Sequence, residues 1–231
     1  MKLQDAVVFI TGANRGLGRA FAEAALAAGA AKVYAAARDP ASVDLPGVVP
    51  VQLDVTDPTQ VAAAAARCGD VTLLINNAGI LRPGSLMAGD ALGAARAEFD
   101  TNFFGPWALT QAFAPVLAAN GGGAVLNVLS ALSWVTLPGV ATYSASKAAT
   151  WALSNGLRQE LKAQGTQVTS LHVAYMDTDM VRGVNAPKVA PADVARQALQ
   201  GVADGAFEVL ADETTRQVKQ SLSSATPAYA A

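Results

Sequence analysis

The sequence predicts a single α/β domain built as a doubly wound parallel sheet, and three observations carry that prediction. Strand-like apolar runs recur along the chain, helix-forming segments fill the intervals, and a glycine-rich turn joins the first strand to the first helix. The runs cover residues 6–10, 32–36, 48–53, 71–75, 124–129, 167–174 and 207–210. They are nearly continuous in apolar residues rather than alternating, the pattern of parallel strands buried on both faces. At 231 residues the chain has room for one full-sized core, and no linker divides it, so residues 1–231 read as one domain.

The first helix is expected over residues 16–28, directly behind Thr11-Gly12-Ala13-Asn14-Arg15-Gly16-Leu17-Gly18. Glycine permits positive φ and close backbone approach, and the orphan N–H groups of a helix start favour an anion. A dinucleotide phosphate cradle and an ordinary tight turn both fit this stretch. The second helix, 58–67, starts behind Asp57 as its cap. A long helix follows over 90–119, with bends expected at Pro106 and Pro115. The next, 142–163, is closed by Gly165, and the last, 192–203, is entered through Pro191. The polar, Ser/Ala-rich tail 217–231 is expected to be loosely ordered unless a partner subunit holds it.

A hydrophobic content of 52% with only 15% charged residues excludes a disordered chain and leaves apolar surface for subunit contacts. The net charge of −2 provides no basic footprint for nucleic acid. The Ala-rich region near residues 24–37 is broken by Gly29 and Lys32, so no membrane-spanning segment is expected. Cys68 is the sole cysteine, and no Cys/His cluster has metal-ligand spacing, so neither a disulfide nor a metal site is expected. The chain meets Asp5 before any apolar run, unlike a signal peptide, and a soluble cytoplasmic protein is the expectation.

In such a sheet, ligands bind outside the carboxyl ends of the strands, which directs attention to polar residues there. After the second strand comes Ala37-Arg38-Asp39. A domain that binds NAD is expected to place an acid on the ribose, whereas Arg38 with Arg15 suits the 2′-phosphate of NADP. NADP(H) is therefore preferred over NAD(H), against the alternative of two solvated arginines. Asp54 ends the third strand, where it would accept from adenine or cap its own turn. Asn76-Asn77-Ala78-Gly79 ends the fourth, and paired Asn with Gly also suits an irregular turn that needs no ligand.

Tyr143 and Lys147 stand four residues apart and share a helix face. An ammonium near a phenol is expected to lower its pKa and fit it for proton transfer to a carbonyl oxygen. The spacing alone is also that of a solvated face. Ser130 closes the fifth strand and could polarise the same carbonyl. Asn102 is either a satisfied core amide or the anchor of a water that relays protons to Lys147. His172, inside the sixth strand, reads as a packed core residue.

Taken together, Thr11-Gly12-x-x-x-Gly16-x-Gly18, Asn76-Asn77-Ala78-Gly79, Asn102, Ser130 and Tyr143-x-x-x-Lys147 resemble the short-chain dehydrogenase/reductase family in its single-domain form. The resemblance runs from about Asp5 to Leu210 and implies a seven-stranded Rossmann sheet, a nicotinamide cofactor and a Ser-Tyr-Lys centre completed by Asn. By position, Tyr143 would be the proton donor, Lys147 would hold the nicotinamide ribose, Ser130 would orient the carbonyl and Asn102 would support the relay water. Gly12, Asn14, Arg15, Gly16, Leu17 and Gly18 would line the pyrophosphate and ribose, and Arg38, Asp54, Val55, Asn77, Ala78 and Gly79 the adenosine side. Thr178, with the backbone of Met176, would meet the carboxamide. The segment departs from the family at Val173-Ala174, where Pro-Gly is usual, and the added methyl of Ala174 is expected to reshape the nicotinamide pocket slightly.

The expected activity is NADPH-dependent reduction of an uncharged ketone or aldehyde, or the reverse oxidation of an alcohol. Its pocket walls would be Ser130, Leu132, Trp134, Leu137, Tyr175 and Met180, with Leu81, Ala131 and Val181 beside them. The short lid between Thr178 and Pro191, carrying Arg182, Gly183 and Asn185, suggests an open site with broad specificity. A 3-oxoacyl-thioester reductase and a non-catalytic NADP-binding sensor are the alternatives. A homodimer or homotetramer is expected, using Trp107, Phe113 and Trp151 if these face outward rather than into the core.

Overall fold

The computed structural model describes residues 1–181 and 183–230. Its strands are β1 (Val7–Thr11), β2 (Lys32–Ala37), β3 (Val49–Gln52), β4 (Leu73–Asn76), β5 (Gly123–Val128), β6 (Thr166–His172) and β7 (Glu208–Leu210). All pair in parallel in the order β3-β2-β1-β4-β5-β6-β7. The order reverses between β1 and β4, where Val8, Phe9 and Ile10 lie beside Leu73, Leu74 and Ile75. Connections leave to opposite faces at that point and open a crevice at the carboxyl ends.

Successive side chains of β1 point to opposite faces. Val8 and Ile10 pack with Leu17, Phe21 and Ala25 of α1 (Gly16–Ala27) and with Val194, Ala198 and Val202 of α6 (Pro191–Ala203). Phe9 faces the other way, toward α2 (Pro58–Arg67), α4 (Gly105–Ala119) and α5 (Ala141–Glu160). Burial of side chains of this size contributes about 1.5–3 kcal/mol each. Phe113 belongs here: it is 0% exposed, its ring 4.8 Å from that of Phe9, so it is a core residue and not an outward one. Trp107 does face outward, at 44% exposure.

The stretch expected as one bent helix is two, α3 (Ala91–Phe99) and α4, joined by a π turn at Asp100–Phe104. Pro115 lies inside α4 without ending it. Pro106 lacks the N–H that an α-helix would direct to the Asn102 carbonyl, and that carbonyl accepts from the Thr150 hydroxyl on α5 instead, at 2.8 Å. The irregularity therefore falls before the proline and ties α4 to α5.

At the C-terminus the tail is not loose throughout, because α7 (Glu213–Ser221) covers its first five residues. Asp212 caps this helix, accepting from the backbone N–H and the hydroxyl of Thr215, both at 2.8 Å. No helix among the described residues is long and apolar enough to cross a membrane.

Candidate active site

The glycine turn is held by its own backbone. Gly12 and Gly16 adopt φ of +63° and +54°, values that side chains other than glycine rarely tolerate. A Cβ at Gly18 would lie 2.1 Å from the Gly12 carbonyl oxygen, so the first turn of α1 can approach β1 only without a side chain there. No side chain caps α1, which leaves its first N–H groups for a ligand. These features fit the pyrophosphate of a dinucleotide.

Asn77 and Ala78 lace β4 to this turn, since both their N–H groups donate to Thr11 Oγ1 at 2.9 Å. The Asn77 amide nitrogen donates to the carbonyls of Thr11 and Gly12, at 2.8 and 3.2 Å. Its observed role is thus to join two loops of the crevice. Asp54 caps its own turn through Oδ1, which accepts from the N–H and hydroxyl of Thr56. Val55 is buried where Gly105 makes room for it: a Cβ on Gly105 would lie 3.0 Å from its methyl. Ala37 is buried while Arg38 is exposed, and Asp39 turns to accept from the Ala41 N–H. Arg15 reaches across the crevice to Asp179 at 3.2 Å.

Ser130 follows β5 and caps a short 3-10 turn over Ala131–Ser133, accepting from Leu132 N–H at 3.1 Å. Tyr143 and Lys147 project from the first turns of α5 and are both buried. Lys147 Nζ donates to the Val128 carbonyl at 2.8 Å and lies 5.7 Å from the centre of the Tyr143 ring. A Cβ on Gly79 would meet Asn102 Oδ1 at 3.2 Å and Lys147 Nζ at 3.6 Å, so the turn after β4 closes this corner. Asn102 is engaged on both arms, accepting from Ile80 N–H and donating to Ile80 carbonyl, each at 2.9 Å, with Ser146 Oγ at 3.0 Å. The amide is thus satisfied within the protein, and it shapes the site by fixing the turn beside Lys147.

Electrostatics here depart from expectation. Burial pushes the Tyr143 phenol well above its ordinary value, the negative charge of Glu98 adds to the rise, and the hydrogen bond with the Ser130 hydroxyl pulls it back only in part. Burial also pulls the pKa of Lys147 down, to about 8. Nothing in the sequence pattern pointed to Glu98. It is fully buried on α3, one helical turn before Asn102, and its Oε1 accepts from Arg82 N–H at 2.7 Å. The i, i+4 spacing of Glu98 and Asn102 was the only available signal, and both residues hold the chain just after β4.

Met176 and Thr178 lie on the loop after β6, and Thr178 comes near α1: a Cβ on Gly16 would lie 3.5 Å from its methyl. Ala174, where the family keeps glycine, donates its N–H to Asp212 Oδ2 at 2.8 Å. The flap that follows is pinned at its base, with Val189 bonded to Tyr175 and Asp177; Arg182 lies outside the described residues. Leu137 and Met180 are exposed, at 45% and 48%, and Leu132 and Tyr175 are half-buried. Trp134, expected as a pocket wall, is half-buried. Its ring stacks 4.0 Å from His172 and meets Trp151 edge-on, so Trp134 and Trp151 are both turned toward the protein's own packing. His172 is fully buried.

Comparison with known proteins agrees with this geometry. The short chain dehydrogenase family pattern matches residues 6–189. Dehydrogenase/reductase SDR family member 7B from Bos taurus is 35% identical over 93% of this chain and 66% of its own length. A 1-deoxy-11-beta-hydroxypentalenate dehydrogenase from Streptomyces exfoliatus is 33% identical over 92% of this chain and 82% of its own. The chain spans only 60% to 66% of the length of several vertebrate relatives that it matches. A crystal structure of a short chain dehydrogenase from Burkholderia cenocepacia in complex with NADP superposes with a TM-score of 0.93 at 41% identity, covering 97% of this chain and 95% of that one. With the glycine cradle, the Ser130-Tyr143-Lys147 corner and the sheet order all in place, the chain belongs to the short-chain dehydrogenase/reductase family.

Proposed function

We propose that the protein is an NADPH-dependent carbonyl reductase, working in reverse as an alcohol dehydrogenase, on uncharged ketones or aldehydes. One observation carries this reading: a buried phenol, a serine hydroxyl and a buried ammonium meet beside a cradle that only bare backbone can fill. NADPH, when bound, supplies the hydride. The chain's own residues do the rest. Backbone of Gly12, Asn14, Gly16, Leu17 and Gly18 receives the pyrophosphate, Asp54, Val55, Asn77, Ala78 and Gly79 border the adenosine side, and Met176 and Thr178 meet the carboxamide. Lys147 holds the nicotinamide ribose. Ser130 donates a hydrogen bond to the carbonyl oxygen and orients it, and Tyr143 gives that oxygen its proton. A phenol raised above its ordinary pKa is fully protonated at neutral pH, the state that reduction requires.

NADPH over NADH rests on Arg38, which follows β2 where an NAD-binding chain would carry an acid, on Arg15 of the glycine turn, and on the NADP bound to the Burkholderia relative. Losing a hydrogen bond to a charged phosphate costs about 1.5–3 kcal/mol. Arg38→Ala is therefore expected to raise KM for NADPH about 10- to 100-fold and to leave KM for NADH unchanged; parallel kinetics with both cofactors check this. The apolar Leu132, Leu137 and Met180 favour uncharged substrates and a broad range of them. Comparable turnover of a bulky aryl ketone and a small aliphatic aldehyde is the expected result, and strict selectivity for a charged acyl thioester would refute it. Pairing of α4 and α5 across a two-fold axis, with Trp107 and Phe104 at the contact, gives the proposed homodimer or homotetramer. A cytoplasmic location goes with this reading, in keeping with the single buried Cys68, whose thiol burial pushes up to about 11.

A further inference from the structure

Behind Ser130 lies a cluster of side chains that the proposed reaction does not use. His172 Nδ1 is 3.2 Å from the Ser130 carbonyl oxygen, and because a carbonyl only accepts, the ring donates from Nδ1. The Trp134 indole stacks on this imidazole at 4.0 Å and 19°. Trp151 stands edge-on to Trp134 and donates Nε1–H to Glu208 Oε1 at 2.8 Å. Lys219, from α7, donates to Glu208 Oε2 at 2.8 Å, and its ammonium sits 4.5 Å over the Trp134 ring and 5.2 Å from the Trp151 ring centre. One cation thus closes a box of two indoles and a carboxylate, and the floor of that box is the imidazole bonded to Ser130. The other end of α7 is fastened too, through the Asp212 bond to Ala174 N–H on the chain leaving β6.

We propose that Lys219, acting with Glu208, is a positioning residue for Ser130: α7 presses Trp134 onto His172 and so fixes the turn from which the serine hydroxyl meets the substrate. This rests on the reading of Ser130 given above. The physical reason is that the 3-10 turn carrying Ser130, though closed on itself by a Ser130–Ser133 capping box and tied to Val173 through the Ala131 N–H, leaves through Trp134, whose ring is a wall of the box. Stacking on Trp134 from one side and the His172 donor from the other fix it from outside, and both depend on the charge pair that holds the box shut. Glu208 is itself half-buried, so loss of Lys219 leaves a carboxylate without its closest cation.

Lys219→Met keeps the length and apolar stem of the side chain and removes the charge. The expected result is a kcat about 3- to 30-fold lower with KM for NADPH unchanged, since none of the residues assigned to the cofactor is a wall of the box. Lys219→Arg is expected to restore most of the loss, and Trp151→Phe, which deletes the bond to Glu208 and trims the ring that faces Trp134 and Lys219, to give a smaller loss in the same direction. The decisive arm is a double-mutant cycle: in a Ser130→Ala background, Lys219→Met should cost nothing further. An unchanged kcat in Lys219→Met and Trp151→Phe overturns the proposal, as does an undiminished loss in the Ser130→Ala background. A Ser130→Ala enzyme with wild-type kcat would instead overturn the role of Ser130 itself, so the two failures are separable.

Discussion

Tyr143→Phe is expected to lower kcat for carbonyl reduction about 10²- to 10⁴-fold, the usual worth of a positioned proton donor, while NADPH binding stays close to wild type. The substitution removes a hydroxyl and leaves a ring of the same shape in a site that is 9% exposed, so packing of α5 is preserved. No other protonated group stands where the phenol does. Lys147 is turned to the Val128 carbonyl, Asn102 is engaged with Ile80, and Ser130 is the phenol's own hydrogen-bond partner. Steady-state NADPH oxidation together with an equilibrium NADPH titration checks both halves. Retained turnover would take the donor role from Tyr143.

Lys147→Met is expected to act in opposite directions on activity and stability. The ammonium is 4% exposed and makes one bond, to a carbonyl, with no carboxylate beside it in an ion pair among the described residues. Its pKa falls from 10.5 to about 8, so between those values the unfolded chain binds more protons than the folded one. Stability must then rise with pH from about 8 to 10.5, and at pH 7 the buried charge costs about 3 kcal/mol against the unfolded state. Methionine fills nearly the same volume without that cost. The variant should unfold at a temperature higher by about 6–12 °C at pH 7, lose its alkaline gain in stability, and turn over at a small fraction of the wild-type rate because the cationic hold on the nicotinamide ribose is gone. Thermal unfolding across pH, paired with kcat, is the test; a lower unfolding temperature at every pH would contradict it.

Much of the fold could be read from the chain because β1, β2, β4 and β5 are mostly apolar runs and many of the breaks carry glycine, proline or a capping acid. Asp57 caps α2 as anticipated, whereas α5 ends at Glu160 and Gly165 closes a 3-10 turn, Leu161–Gln164, that follows it. What escaped notice was set by contacts distant in sequence. The segment of α7 contains a single apolar side chain, Val218, and its helicity is supported by Asp212 at its start and Lys219 in the aromatic box. The π turn follows from Pro106 together with Thr150, forty-four residues further on, which no local pattern reveals.

The catalytic corner shows the same division. Ser130, Tyr143 and Lys147 were identifiable by spacing and resemblance, and the structure brings them together. Their titration was not, because a phenol's pKa depends on burial and on Glu98, a residue whose sequence neighbourhood looks like any helical surface. Phe113 was misplaced for a related reason: an aromatic side chain on a helix is equally apolar whether it faces a partner or the core, and only its packing against Phe9 decides.

The most direct test follows NADPH absorbance with the purified wild-type protein and Tyr143→Phe across a panel of uncharged ketones and aldehydes. The expected result is NADPH consumption by the wild type with several of them and almost none by the variant, both proteins binding NADPH alike. Wild-type protein that binds NADPH and consumes it with no carbonyl compound, or a variant as fast as the wild type, would contradict a buried phenol as proton donor in carbonyl reduction.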